Sequence, residues 1–70
     1  MGKTKYHVLS AGKEYEYYSS INNPFELVRA HDDAARTGPC WIEVRHFGYT
    51  SLVRWDTVTR VELADQNVSW

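Results

Sequence analysis

The sequence has little of what usually holds a very small domain together: one cysteine (Cys40), two prolines, four glycines and one methionine in 70 residues. A lone thiol excludes a disulfide within the chain and fits a reducing compartment, so a cytoplasmic location is expected. No apolar run approaches the roughly 18 residues of a membrane span. The basic start, Met1-Gly2-Lys3-Thr4-Lys5, leads into alternation instead of an apolar stretch, which argues against a signal peptide. With no secretory signal, the glycosylation pattern Asn67-Val68-Ser69 reads as a chance match. An excess of positive charge is also missing. Eight Lys and Arg against nine Asp and Glu give a net charge of -1, so no cationic field draws the chain toward phosphate polymers.

The length allows one core and no more, since a chain this short buries only about 60% of its unfolded surface. Residues 1–70 are therefore expected to form a single domain. A core of that size is marginal, and with no disulfide to reinforce it, association with another chain is the remaining support. What the sequence does have is aromatic side chains: three Trp, five Tyr and two Phe, 14% of the chain. That is more than one small core comfortably hides, so some should lie at a surface that meets another molecule.

Alternation from Lys3 to Ser10, with Tyr6 and Val8 on one side and Lys5, His7 and Leu9 on the other, predicts a first strand. A Gly-containing turn at residues 10–13 leads to a second strand from Glu14 to about Ser19. Tyr15 and Tyr17 then point inward, and Glu14, Glu16 and Tyr18 outward. Asn23-Pro24-Phe25-Glu26 opens a helix, with Asn23 as cap, Pro24 at the first position and Glu26 placed for a capping box. The helix should run to about Thr37 and stop at Gly38-Pro39. Its apolar stripe is Leu27, Val28, Ala30, His31, Ala34 and Ala35, with Arg29–Asp33 and Asp32–Arg36 pairing on the solvent side.

Strict alternation over Cys40–Phe47 predicts a third strand, with Cys40, Ile42 and Val44 inward and Trp41, Glu43, Arg45 and Phe47 outward. Gly48-Tyr49 is read as a tight turn, Thr50–Trp55 as the fourth strand, residues 56–58 as a turn or a 3₁₀ step, and Thr59–Leu63 as the fifth strand. Residues 64–70 lack periodicity and are expected to form a C-terminal tail. The fold class is α+β in the order ββαβββ, an antiparallel sheet with one helix packed on one face. The alternative is a strongly curled small barrel in the SH3-like style with an inserted helix. Either buries Tyr6, Val8, Tyr15, Tyr17, Ile42, Val44, Val53, Trp55, Val61 and Leu63 against Leu27, His31 and Ala34.

Catalysis would require a nucleophile, a base and an orienting group within reach of one another. Cys40 and His46 share a strand but lie six residues apart, about 20 Å at the usual rise. Only His7 or His31 brought over by the fold could serve, and an inward Cys40 reads first as a small core residue. His31-Asp32-Asp33 is the one cluster with metal-ligand chemistry, but adjacent helical residues diverge, so no metal and no cofactor are expected. His31 on the apolar stripe reads as a core-edge histidine bonded to a backbone or tyrosine oxygen. No phosphate loop, H-E-x-x-H helix or G-x-S-x-G elbow occurs. The expectation is a protein that is not an enzyme, with no small-molecule substrate.

The face turned away from the helix would carry Trp41, Glu43, Arg45, Phe47, Leu52, Arg54, Arg60 and Glu62, with Tyr18 and His7 nearby. Aromatic and aliphatic side chains interleaved with arginine are the composition of an interface centre. Two plainer readings stand beside it. The tail could cover this face through Val68 and Trp70, or the aromatics and Arg45, Arg54 and Arg60 could bind single-stranded nucleic acid. Glu14, Glu16, Glu43 and Glu62 on the same face oppose phosphate, so a protein partner, most simply a second copy in a homodimer, is preferred.

The helix Val28-Arg29-Ala30-His31-Asp32-Asp33-Ala34-Ala35-Arg36-Thr37-Gly38 and the ending Val53-Arg54-Trp55-Asp56-Thr57-Val58-Thr59-Arg60-Val61-Glu62-Leu63 resemble the short α+β accessory proteins encoded by actinobacterial phages and their hosts. The resemblance implies stoichiometric binding, with a host protein as a possible target. It carries over no functional residue.

Overall fold

The computed structural model describes residues 2–68, with side chains through residue 65. Five strands and one helix follow in the order β1 (Lys3–Ser10), β2 (Lys13–Ser19), α1 (Pro24–Thr37), β3 (Trp41–His46), β4 (Tyr49–Arg54), a 3₁₀ turn (Trp55–Thr57) and β5 (Val58–Val68). The fold is the α+β arrangement ββαβββ. All strands are antiparallel neighbours in one sheet of order β4-β3-β2-β1-β5.

That order forces curvature. β4 and β5 lie at opposite edges, which a flat five-stranded sheet would hold about 19 Å apart. Yet only Trp55–Thr57 joins them, and a 3₁₀ step advances about 2 Å per residue. The sheet must curl until its two edges approach at this corner, but β4 and β5 do not pair, so it is an open antiparallel sheet with one helix. Side-chain hydroxyls pin the corner: Thr57 Oγ1 donates to the Arg54 carbonyl at 2.7 Å and lies 2.7 Å from Ser10 Oγ, tying β1, the turn and β4 together.

The helix has the predicted bounds. Asn23 Oδ1 accepts from the amides of Phe25 and Glu26, and Leu27 N–H donates to the Asn23 carbonyl. The cap carboxamide thus takes amides that the first turn leaves without a partner. Gly38 is extended, φ 162 and ψ -179, so the left-handed stop read from it does not occur. The helix ends because a residue preceding proline is pushed out of the helical region. The solvent-side pairs differ too: Arg36 lies 3.9 Å from Asp33, and Asp32 Oδ1 instead accepts from the Trp55 indole N–H at 2.7 Å.

On the inner face, β1 buries Thr4, Tyr6, Val8 and Ser10, while Val8, Ile42, Val44, Val53 and Trp55 form the core cluster. Tyr15, Tyr17, Val28, Ala35, Cys40, Val58 and Val61 are half-buried against it. Leu27 is fully buried, and burial of a leucine contributes about 1.5–3 kcal/mol. Ala30 and Ala34 are exposed, so the stripe is narrower than predicted. Leu63 stays 43% exposed although it pairs with Tyr6, because it sits on an edge strand.

Four strands differ in their bounds from the sequence reading. β2 starts at Lys13, β3 excludes both Cys40 and Phe47, β4 starts at Tyr49 and releases Trp55 to the 3₁₀ turn, and β5 starts at Val58 and continues to Val68, absorbing most of the expected tail. The pairing of β5 with β1 shifts register between Lys3 and Lys5, between Lys5 and Tyr6, and between Leu9 and Ser10. Such irregularities break the period-2 pattern by which a strand is recognised. Among the described residues, no helix is long and apolar enough to cross a membrane.

Candidate interaction surface on the outer sheet face

The outer face is assembled by register. Across β3 and β4, Trp41 pairs with Arg54, Glu43 with Leu52, and Arg45 with Thr50. These six alternate with the inward Ile42, Val44 and Val53 and so share the side away from the helix. Glu16 pairs with Arg45, bringing β2 alongside. The Arg45 guanidinium lies 5.8 Å from the centre of the Tyr18 ring, and that of Arg54 lies 5.9 Å from the Trp41 ring. Both are distances at which a cation is attracted to an aromatic face. The structure thus brings Tyr18, Trp41, Glu43, Arg45, Leu52 and Arg54 onto one surface.

Phe47 is placed differently. It occupies the first position of a two-residue turn, with φ 49, and is followed by Gly48 at φ 81. Positive φ at both central residues is the type I′ geometry that matches the twist of a hairpin. The turn is therefore Phe47-Gly48 and not Gly48-Tyr49. Phe47 stands at the hairpin tip with its ring 4.4 Å from that of His46.

Exposure concentrates on this hairpin. Trp41 is 55% exposed, Phe47 88%, Tyr49 76% and Leu52 65%, while only two other large apolar side chains, Phe25 and Leu63, are exposed among the described residues. Tyr49 escaped the sequence reading because it was assigned to the turn. Recognising the I′ turn would have placed it on β4. The backbone of β5 pairs with β1 as far as Val68, and β5 lies three strands from β3 in the sheet order. The suggested cover by the side chains of Val68 and Trp70 lies outside the described residues.

Acidic partners temper the positive charge of the face. Lys5 Nζ is 2.8 Å from Glu16, Arg54 is 2.9 Å from Asp56, and Arg60 is paired with Glu62. Hydrogen bonding to Lys5 is the main cause that holds the Glu16 carboxyl below its usual range, and the same bond raises Lys5. His7 Nδ1 lies 2.6 Å from Glu14.

A feature no pattern announced lies between β2 and β3. Their register rests on the single pair Glu16 and Arg45, and beyond it a cleft of about 340 Å³ opens, lined by residues that include Tyr17, Tyr18, His31 and Trp41. At its inner wall, His31 Nδ1 is 2.9 Å from the Leu27 carbonyl and Nε2 is 2.9 Å from the Tyr17 hydroxyl. A carbonyl only accepts, so Nδ1 carries the proton, and in the neutral ring Nε2 accepts from Tyr17. His31 is thus the core-edge histidine expected, with both kinds of partner.

Cys40 is half-buried against the core and hydrogen-bonds to no histidine among the described residues. No group of three or more His, Cys, Asp or Glu is placed to hold a metal ion among the described residues. Compared with models of known protein families, with curated proteins and with solved structures, the chain matches none, and its reading rests on geometry.

Proposed function

We propose that this protein is a small non-catalytic interaction module that binds another protein stoichiometrically through the outer face of its β3–β4 hairpin. One observation carries the reading: Trp41 and Leu52, large apolar side chains 55% and 65% exposed, lie together on this face, and Phe47 stands open beside them at the hairpin tip. A monomer that merely solvates one face of an antiparallel sheet makes that face polar. Here Trp41 and Leu52 are interleaved with Arg45, Arg54 and Glu43, the mixture found at interface centres. The resemblance to phage and host accessory proteins points the same way, toward a host protein or a second copy as partner. Pairing of Arg54 with Asp56, Arg60 with Glu62 and Lys5 with Glu16 favours protein over nucleic acid, because cations already matched gain little from phosphate.

Sedimentation over a micromolar to millimolar range, together with titration of labelled single-stranded oligonucleotides, tests the reading. Concentration-dependent association that Trp41→Ala weakens about tenfold or more is expected, since truncating a central aromatic anchor typically costs about 2 kcal/mol. Tight, salt-sensitive oligonucleotide binding lost in Arg54→Ala would replace the protein reading with the nucleic-acid one.

A further inference from the structure

The two edges of the sheet are built in opposite ways. β5 is irregular, with three register shifts against β1, and carries Arg60, Glu62 and Asp65. Bulges and charges are the means by which proteins blunt an edge against further strand pairing. β4, Tyr49-Thr50-Ser51-Leu52-Val53-Arg54, has none of them: it keeps unbroken register with β3 through six pairs, contains no proline, and is uncharged until its last residue. All of it but Val53 is exposed.

The hairpin geometry determines which backbone groups face outward. Residues flanking a two-residue I′ turn form a hydrogen-bonded pair, so His46 pairs with Tyr49 in this way, as do Val44 with Ser51 and Ile42 with Val53. The bond from Trp55 N–H to the Cys40 carbonyl, 2.7 Å, continues the same alternation. The N–H and C=O groups of Thr50 and Leu52 therefore point away from β3. Among the described residues, no other backbone or side-chain group bonds to them.

We propose that β4 is an open edge that pairs antiparallel with β4 of a second copy about a two-fold axis at Ser51, continuing one sheet through both chains. The partner follows from charge and register. With Ser51 at the axis, Thr50 of each chain meets Leu52 of the other in a hydrogen-bonded pair, giving four backbone bonds, and Tyr49 meets Val53 of the other chain. Aromatic and β-branched residues are favoured cross-strand neighbours. The rows then run Glu43, Leu52, Thr50 of the second copy, Arg45 of the second copy, so opposite charges share each row. Centring on Leu52 instead aligns Glu43 with Glu43 of the second copy, and centring on Thr50 aligns the two copies of Arg45. Of these three registers, the one centred on Ser51 alone avoids like charges facing each other across the seam, and β4 is self-complementary in it.

The proposal rests on the reading that this hairpin meets a protein, and its test separates the two. Leu52→Pro removes an N–H that faces the open edge and leaves the β3–β4 ladder intact. Sedimentation of the wild type should show a dimer forming between micromolar and millimolar concentration, and Leu52→Pro should weaken it at least ~10-fold. Amide exchange of the wild type needs no variant. On concentration, the Thr50 and Leu52 amides should become protected, whereas those of Ser51 and Val53 are protected at every concentration. A dimer weakened by Trp41→Ala but with Thr50 and Leu52 amides still fast overturns edge pairing and leaves the outer-face reading standing. A wild type monomeric at millimolar concentration overturns the second copy as partner; the interaction-module reading then continues with a different protein.

Discussion

The two faces of this sheet hold the same kinds of residue under opposite rules. On the inner face the polar atoms of the aromatic side chains bond within the chain: Tyr6 donates to the Ile21 carbonyl at 2.5 Å, Tyr17 bonds His31, and Trp55 donates to Asp32. No buried side-chain nitrogen or oxygen is left without a partner among the described residues. On the outer face Trp41 lies beneath Arg54 and stays 55% exposed. The contrast teaches that aromatic content alone does not mark a core. An aromatic ring whose polar atom is satisfied within the chain is structural. One that is open to solvent among arginines is available to a partner.

The sharpest way to break the comparison is to make one substitution on both faces. Leu27 is fully buried and Leu52 is 65% exposed. Leu27→Ala should destabilise by about 2–5 kcal/mol, as deletion of a core leucine does, which in so small a domain abolishes most of the folded population. Leu52→Ala should change stability by less than ~0.5 kcal/mol. Chemical denaturation of dilute protein measures both. Comparable losses would mean that the outer face is a second core, and the interface reading would fail with it.

Which parts of this contrast were legible in the sequence follows from how locally each is encoded. Asn23-Pro24 and Gly38-Pro39 bracket the helix, and its bounds were readable to the residue. Alternation placed Tyr6 and Val8 inside and Trp41, Glu43 and Arg45 outside. Phe47 misled because it continues the alternation of β3, yet it sits at positive φ in the turn, where a bulky side chain is uncommon. β5 beyond Leu63 was hidden by its bulges, and its strand character comes from pairing with β1, a partner some sixty residues away for Val68 and Lys3. The choice Asp32 makes, Trp55 over a helical arginine, depends on tertiary approach that no spacing within the helix contains. The open cleft between β2 and β3 was invisible for the same reason.

A middle-sized effect should separate the faces by pH. Burial is the main cause that raises the phenol of Tyr6 above its ordinary value, with the charge of Glu26 adding to it. Burial also leads for Tyr17, ahead of the influence of Cys40. Because these folded-state values lie above the unfolded ones, the unfolded chain ionises first. The stability involved is whole below about pH 10 and is lost as pH rises through the folded values. Tyr17→Phe should cost about 0.5–1.5 kcal/mol at neutral pH, the usual worth of a hydrogen bond, and should flatten the alkaline fall in stability. Denaturation curves from neutral to strongly alkaline pH check this. If the variant declined as steeply as the wild type, Tyr17 ionisation would not be coupled to folding.

The smallest expected effect lies at Lys5 and Glu16 on the outer face, 2.8 Å apart with side chains 27% and 43% exposed. The hydrogen bond between them lowers the Glu16 pKa, so its contribution is present above the unfolded carboxylate value, near 4.3, and is lost as pH falls through the folded one. Water and salt reach both groups, and such pairs are worth about 0–1 kcal/mol, less at high ionic strength. Lys5→Gln should therefore lower the melting temperature only slightly in dilute buffer and by less still in molar salt. A larger loss, unmoved by salt, would show that Lys5 and Glu16 brace β1 against β2 as firmly as the inner hydrogen bonds do. The outer face could then no longer be treated as free to exchange its intrachain contacts for those of a partner.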